Sequence, residues 1–225
     1  MTLGSAMYRP SRISRSIILS SAVLAGCATT HPVAYQGLAS SSQLSPNSQN
    51  ARHVPFLYSA NDVNWPEYNS IVLESVAVYD GPDQQFGNAS QADKALLAEY
   101  AHRQFTQALA TRYTVVAEPG PHTLRIRVTL AGFEPNTPGM STVIKIFPVG
   151  LVVNTVNTTL DKQGTFSGSA SCAVEIYDSA SNRLLRAYVT KEYPAAENIG
   201  ASFGALDASK AGIRKGAQGL LKQLT

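Results

Sequence analysis

Cysteine occurs twice in the 225 residues, at Cys27 and Cys172, histidine four times and tryptophan once. The histidines, His31, His53, His102 and His122, have no paired spacing with one another or with Cys172. A zinc site needs three or four converging ligands, so no metal site is expected. A Gly-rich phosphate loop, a nucleophile elbow and a Cys-x-x-Cys pattern are also missing. No catalytic residue and no cofactor-binding residue is therefore named, and the chain is expected not to be an enzyme. Long hydrophobic runs are missing too: "IILSSAVLAG" at 17–26 is too short to span a bilayer, which takes about 20 apolar residues. Acidic residues are absent from the first 27 positions, where Arg9, Arg12 and Arg15 form a positive patch.

A basic start, a short apolar run and small residues before a cleavage point mark a secretory signal peptide. Leu24-Ala25-Gly26-Cys27 resembles the lipobox of bacterial lipoproteins. That resemblance implies a diacylglycerol on the Cys27 sulfur, cleavage before it and acylation of the new amino group. Two or three chains, at ~0.8 kcal/mol per buried CH₂, hold a protein on a membrane effectively permanently. Ala28 stands where an aspartate would, by resemblance to enterobacterial lipoproteins, signal retention in the inner membrane. The expected address is the periplasmic face of the outer membrane. The expected division is a signal peptide over 1–26, a lipidated cysteine and flexible tether over 27–54, and a single periplasmic domain over 55–225.

Removing the leader takes three of the 18 basic residues and none of the 15 acidic ones, leaving a mature net charge of zero. A basic patch for nucleic acid therefore has no support, and no nucleic-acid partner is expected. The mature 199 residues suffice for one domain with its own core. Cys172 has no disulfide partner and, on the inward face of a strand, reads as a small buried hydrophobe.

The tether "ATTHPVAYQGLASSSQLSPNSQNARH" is rich in Ser, Gln, Asn and Ala, although Tyr35, Leu38 and Leu44 could pack on the body. "SIVLESVAVY" at 70–79 reads as a strand with Val72, Val76 and Val78 on one face. A helix follows over 91–111, with Ser90 as N-cap and Leu97, Ala101, Phe105, Ala108 and Leu109 as its apolar stripe. "YTVVAE" is a short strand, and "HTLRIRVTL" alternates Leu124, Ile126, Val128 and Leu130 with polar residues. Phe166, Gly168, Ala170, Cys172, Val174 and Ile176 share a face opposite Thr165, Ser167, Ser169, Ser171 and Glu175, and the serines of 168–171 are expected to face water. "DSASN" turns the chain into an antiparallel return strand, and the last segment is an amphipathic helix interrupted by Gly212, Gly216 and Gly219. The order β-α-β-β-(apolar insert)-β-β-α predicts an α+β fold, mostly antiparallel, with helices packed on one face of the sheet.

The insert "STVIKIFPVGLVVNTV" at 141–156 carries one charge, Lys145, and breaks at Pro148-Val149-Gly150. Two readings stand: core covering the sheet, or an exposed element docking on a partner. In the second, Ile144, Phe147, Pro148 and Leu151 are the candidate docking residues. Trp65 and Tyr68 are either recognition aromatics or anchors.

The lipobox together with "NWPEY", "VYDGPD", "VVAEPGPHTLRIRVTL", "FPVG" and "GSASCAVEIYDSASNRLL", in this order, resembles an uncharacterised family of Gram-negative lipoproteins. The resemblance implies an address and a fold class, and no reaction. The expected role is a non-catalytic interaction or assembly protein of the envelope, held to the membrane by lipid on Cys27 and meeting an envelope protein partner. The alternative is a carrier of a small apolar or lipid ligand.

Overall fold

The computed structural model describes residues 31–135, 168–194 and 204–225 together with Met1. They form a mixed α+β fold in which two helices accompany an eight-stranded, mostly antiparallel sheet. In chain order these are β1 (Ser45–Pro46), β2 (Phe56–Ser59), β3 (Ser70–Leu73), β4 (Ala77–Val78), α1 (Gln91–Leu109), β5 (Thr114–Val115), β6 (Thr123–Glu134), β7 (Ser169–Asp178), β8 (Leu184–Glu192) and α2 (Asp207–Gln223). The sheet runs β1-β2-β8-β7-β6-β3-β5, with β4 also on β6. β6 is antiparallel to β7 and parallel to β3 and β4. The parallel pairs need a crossover, which α1 supplies.

α1 begins at its cap: the Asp93 N–H donates to Ser90 Oγ at 3.0 Å, and Ser90 Oγ donates to Asp93 Oδ2 at 2.7 Å. Its stripe of Leu97, Ala101, Phe105 and Leu109 is buried. Beneath it the alternation of β6 places Leu124, Ile126, Val128 and Leu130 against Ala170, Cys172, Val174 and Ile176 of β7. Each buried aliphatic side chain contributes roughly 1.5–3 kcal/mol, so this layer dominates stability.

The single strand expected over 70–79 is two. Ile71 and Leu73 before the break and Val76 and Val78 after it all reach the main core, so the inward parity changes by one residue at Glu74-Ser75. Glu74 turns its carboxylate onto Arg125 and Arg127. Val72, expected beside Val76 and Val78, lies outside that core, and Ile71 takes the inward place.

The second face of the sheet is not open to water as expected. Ser169 and Ser171 are 0% exposed and Glu175 is 2% exposed. Tyr35 and Leu38 cover this side together with Tyr79, Ala131, Ala173 and Val189. Within the segment read as a tether, Tyr35 and Leu38 pack on the sheet and β1 pairs with β2. The physical reason is that its few apolar side chains meet an apolar strip on the sheet, while its amides find acceptors. The Ser40 N–H donates to Glu175 Oε1 at 2.8 Å, and the Gly37 N–H donates to Tyr79 Oη at 3.0 Å.

β7 and β8 form the expected hairpin, closed where the Ser181 N–H donates to Asp178 Oδ1 at 2.7 Å. Trp65 and Tyr68 are buried anchors: Tyr68 Oη donates to Asp178 Oδ2 at 3.0 Å, and the Arg186 guanidinium lies 4.9 Å from the Trp65 ring centre. On α2, Ile213, Ala217 and Leu220 are buried, as is Leu224 just beyond it. A Cβ on Gly212 would sit 2.4 Å from the Glu192 carbonyl oxygen, so this glycine lets the helix approach its own sheet.

Candidate functional site

A cleft of about 390 Å³ lies where the second half of α2 meets the end of β8 and residues 50–54. Alternation along β8 brings Tyr188, Thr190 and Glu192 to its wall, three residues of one strand face. α2 supplies Lys215 and two positions without side chains, Gly216 and Gly219.

Glu192 is the hub of the polar wall. Its Oε2 lies 3.0 Å from His53 Nδ1 and 3.5 Å from Lys215 Nζ, and Thr190 Oγ1 donates to its Oε1 at 3.2 Å. The side chain is 11% exposed, and these partners replace the water it has lost. The His53 backbone is fixed because its carbonyl accepts the Lys191 N–H at 3.0 Å. The His53 ring lies 5.1 Å from the Tyr193 ring, which also takes Lys215 Nζ at 5.3 Å from its centre.

Two buried groups sit behind this wall. Burial, with the Cys172 thiol and Glu192 adding to it, pushes the Tyr188 phenol well above its ordinary value. The Tyr188 hydroxyl has no hydrogen-bond partner among the described residues. Burial, and then Glu192, pushes the Cys172 thiol up to about 12, so it remains a neutral thiol rather than a nucleophile.

A second charged cluster occupies the other face of the sheet. Glu74 accepts from Arg125 Nη1 at 2.6 Å and from Arg127 Nε at 2.9 Å, and Arg125 stacks 4.4 Å from the Tyr177 ring centre. Arg127 Nη1 is also 3.7 Å from Glu175 Oε2. These groups satisfy one another and tie the break after β3 to the sheet.

Cys27 and the candidate docking residues Ile144, Phe147, Pro148 and Leu151 lie outside the described residues. His31, His102 and His122 do not enter the cleft; His53, which the sequence places in the tether, does. Its role depends on where residues 50–54 land, which no local pattern encodes. Glu192 carried a signal: Thr190 and Glu192 are polar residues at inward positions of a buried strand. Among the described residues no group of three His, Cys, Asp or Glu could hold a metal ion, and no helix is long and apolar enough to cross a membrane.

A family model described as a protein of unknown function, DUF3313, matches residues 34–220. This chain belongs to DUF3313. The match takes in Tyr35 and Leu38 on the second sheet face and the cleft residues from Asn50 to Gly219 of the DUF3313 fold. No curated protein matches the DUF3313 chain. Its fold is similar to the PelC dodecamer from Paraburkholderia phytofirmans, with TM-score 0.37 and 8% identity over 72% of this chain and 94% of that one. It is similar also to a neuraminyllactose-binding hemagglutinin homolog from Helicobacter pylori, with TM-score 0.32 and 8% identity over 69% and 80%. A third is protein XCC0632 from Xanthomonas campestris, of family DUF330, with TM-score 0.33 and 12% identity over 72% and 88%. These likenesses are distant, and the function of the DUF3313 chain is argued from its own residues.

Proposed function

We propose that the protein is a lipoprotein of the outer membrane, anchored through Cys27 and facing the periplasm, with a non-catalytic interaction or assembly role in the cell envelope. The observation that carries this is Leu24-Ala25-Gly26-Cys27 behind the apolar run at 17–24 and the arginines at 9, 12 and 15. The burial of Tyr35, eight residues beyond Cys27, supports it, since the folded body then starts soon after the proposed anchor. Both helices roof one face of the sheet in this reading, and the 141–156 segment with Ile144, Phe147, Pro148 and Leu151 is the proposed docking element for an envelope protein. Mass spectrometry of the chain purified from envelopes tests the anchor. A start at Cys27 carrying a diacylglycerol and an amide-linked acyl chain is expected; an unmodified thiol or an attached leader overturns it. Crosslinking from Phe147 in intact cells tests the docking element.

The cleft favours a second reading, a binding protein for a small ligand. Its volume of about 390 Å³ falls in the range that small-molecule sites occupy. Its wall is set with carboxylate, imidazole, ammonium and amide groups, which suits a hydrogen-bonding ligand better than the apolar one expected from the sequence.

A further inference from the structure

His31 lies at one end of the sheet. Its carbonyl accepts from Gln85 Nε2 at 2.5 Å. Gln85 is itself laced to the end of β6: its N–H donates to the Ala131 carbonyl at 3.0 Å, and its carbonyl accepts the Phe133 N–H at 3.2 Å. A Cβ on Gly132 would sit 2.6 Å from that same Gln85 carbonyl oxygen, so the two backbones touch. The first turn of α1 belongs to this end too, because Lys94 Nζ is 4.8 Å from the centre of the Phe86 ring and that ring is 5.7 Å from Phe133. The opposite end holds the turn between β7 and β8, where the Ser179 N–H donates at 3.0 Å to the carbonyl of Thr123, the first residue of β6. Between the two ends runs β6, whose 12 residues at about 3.3 Å each span roughly 35–40 Å.

Cys27 precedes His31 by four residues. Such a stretch, fully extended, reaches at most ~14 Å, well short of the length of β6. A lipid on Cys27 therefore keeps the His31 end of the sheet beside the membrane. A second observation falls at the same end. Leu96, in the second turn of α1, is 45% exposed, and Ala92 and Ala95 beside it are exposed as well. Further along the helix the exposed positions are Glu99, Arg103 and Gln107, so the apolar strip stops where the helix leaves that end. A single exposed leucine is ordinary on a protein surface; one with two alanines, at the end to which the anchor leads, marks a contact. Asp93 and Lys94 cancel in the first turn, which makes the contact apolar rather than electrostatic.

We infer that the first two turns of α1, through Ala92, Ala95 and Leu96, rest on the phospholipid surface, so that the body stands on this end with the β7–β8 turn directed away from the membrane. This deepens the lipid-anchor reading above and rests on it.

The test uses the lipidated full chain, spin-labelled at single introduced cysteines and bound to phosphatidylcholine vesicles in which some headgroups carry a nickel chelate. Ala92→Cys, Gln107→Cys and Ala180→Cys put labels at exposed positions on the start of α1, on its far half and on the β7–β8 turn, while buried Cys172 takes none. Headgroup nickel should relax the Ala92→Cys label severalfold more than the Gln107→Cys label and leave the Ala180→Cys label unaffected, whereas a water-soluble chromium complex relaxes all three. Adding Leu96→Glu should cut the nickel effect on the Ala92→Cys label severalfold. Equal nickel effects on the two α1 labels would lay the body flat, the strongest effect on the Ala180→Cys label would turn it over, and indifference to Leu96→Glu would remove the apolar contact; each overturns the inference. Mass and flotation with the vesicles read the anchor on the same sample. A lipidated, floating chain with the wrong gradient overturns this inference alone, and an unlipidated chain that does not float overturns the anchor with it.

Discussion

The Ser40 amide donates to Glu175 Oε1 at 2.8 Å in a buried hydrogen bond between residues 135 positions apart. It pins the N-terminal cover to the middle of β7, and Arg127 Nη1 supports the same carboxylate from 3.7 Å. Glu175→Ala leaves a buried N–H without an acceptor and is expected to destabilise the fold by about 2–3 kcal/mol. Glu175→Gln retains an oxygen acceptor and should lose less. Urea unfolding measures both, and hydrogen exchange at residues 36–41 should quicken in the alanine variant. An alanine variant as stable as the parent would mean that the cover is held elsewhere.

Glu74 predicts an acid-dependent loss of stability. Burial pushes its carboxyl up, but the hydrogen bonds from Arg127 and Arg125 outweigh burial and hold it below the ordinary 4.5. A carboxyl lowered in the folded state stabilises fully above its unfolded pKa, and that stabilisation is lost as pH falls through the folded value. The gap between the parent and Glu74→Gln should therefore be widest at neutral pH and close in acid below 4.5. Urea midpoints across that range decide it; a gap that widens in acid reverses the sign and rules the account out.

Two alanine substitutions on one helix should act in opposite directions. Gly212→Ala forces a Cβ to 2.4 Å from the Glu192 carbonyl and should cost about 1–3 kcal/mol through overpacking. Gly219→Ala meets no described atom within 4 Å and should stabilise by up to ~1 kcal/mol. Thermal melts of the pair suffice, and equal shifts of the same sign would contradict the helix placement.

Thiol chemistry reads both cysteines at once. Cys172 is 4% exposed and its thiol is pushed up to about 12, so a disulfide-exchange reagent should leave it unreacted in the native chain and titrate it on unfolding. If Cys27 carries the proposed lipid, one thiol in total reacts. A second, fast-reacting thiol in envelope-purified protein would place an unmodified cysteine at position 27.

The long elements were legible because periodicity alone dictates them. The alternation in 122–130 and 168–176 and the helical stripe from Leu97 to Leu109 specify which faces are buried, whatever surrounds them. The break after Leu73 was not legible, since Glu74-Ser75 contains neither proline nor glycine and the bend answers to Arg125 and Arg127 on a distant strand. The buried serines of β7 were misread for a related reason. Alternation identifies two faces of a strand, but only the path of residues 31–46 decides that the polar one is covered. The cleft was illegible in the same way, because His53, Glu192 and Lys215 come from three parts of the chain.

The face of the sheet that carries Glu175 is covered by a single segment of backbone fastened at Gly37 and Ser40. Tension applied at the amino end reaches the body through those fastenings before it loads the ladder between β6 and β7. The fold thus has a built-in order of mechanical failure. A tug from that end peels the thin cover and bares Ala173 and Val189 while the main core stays shut.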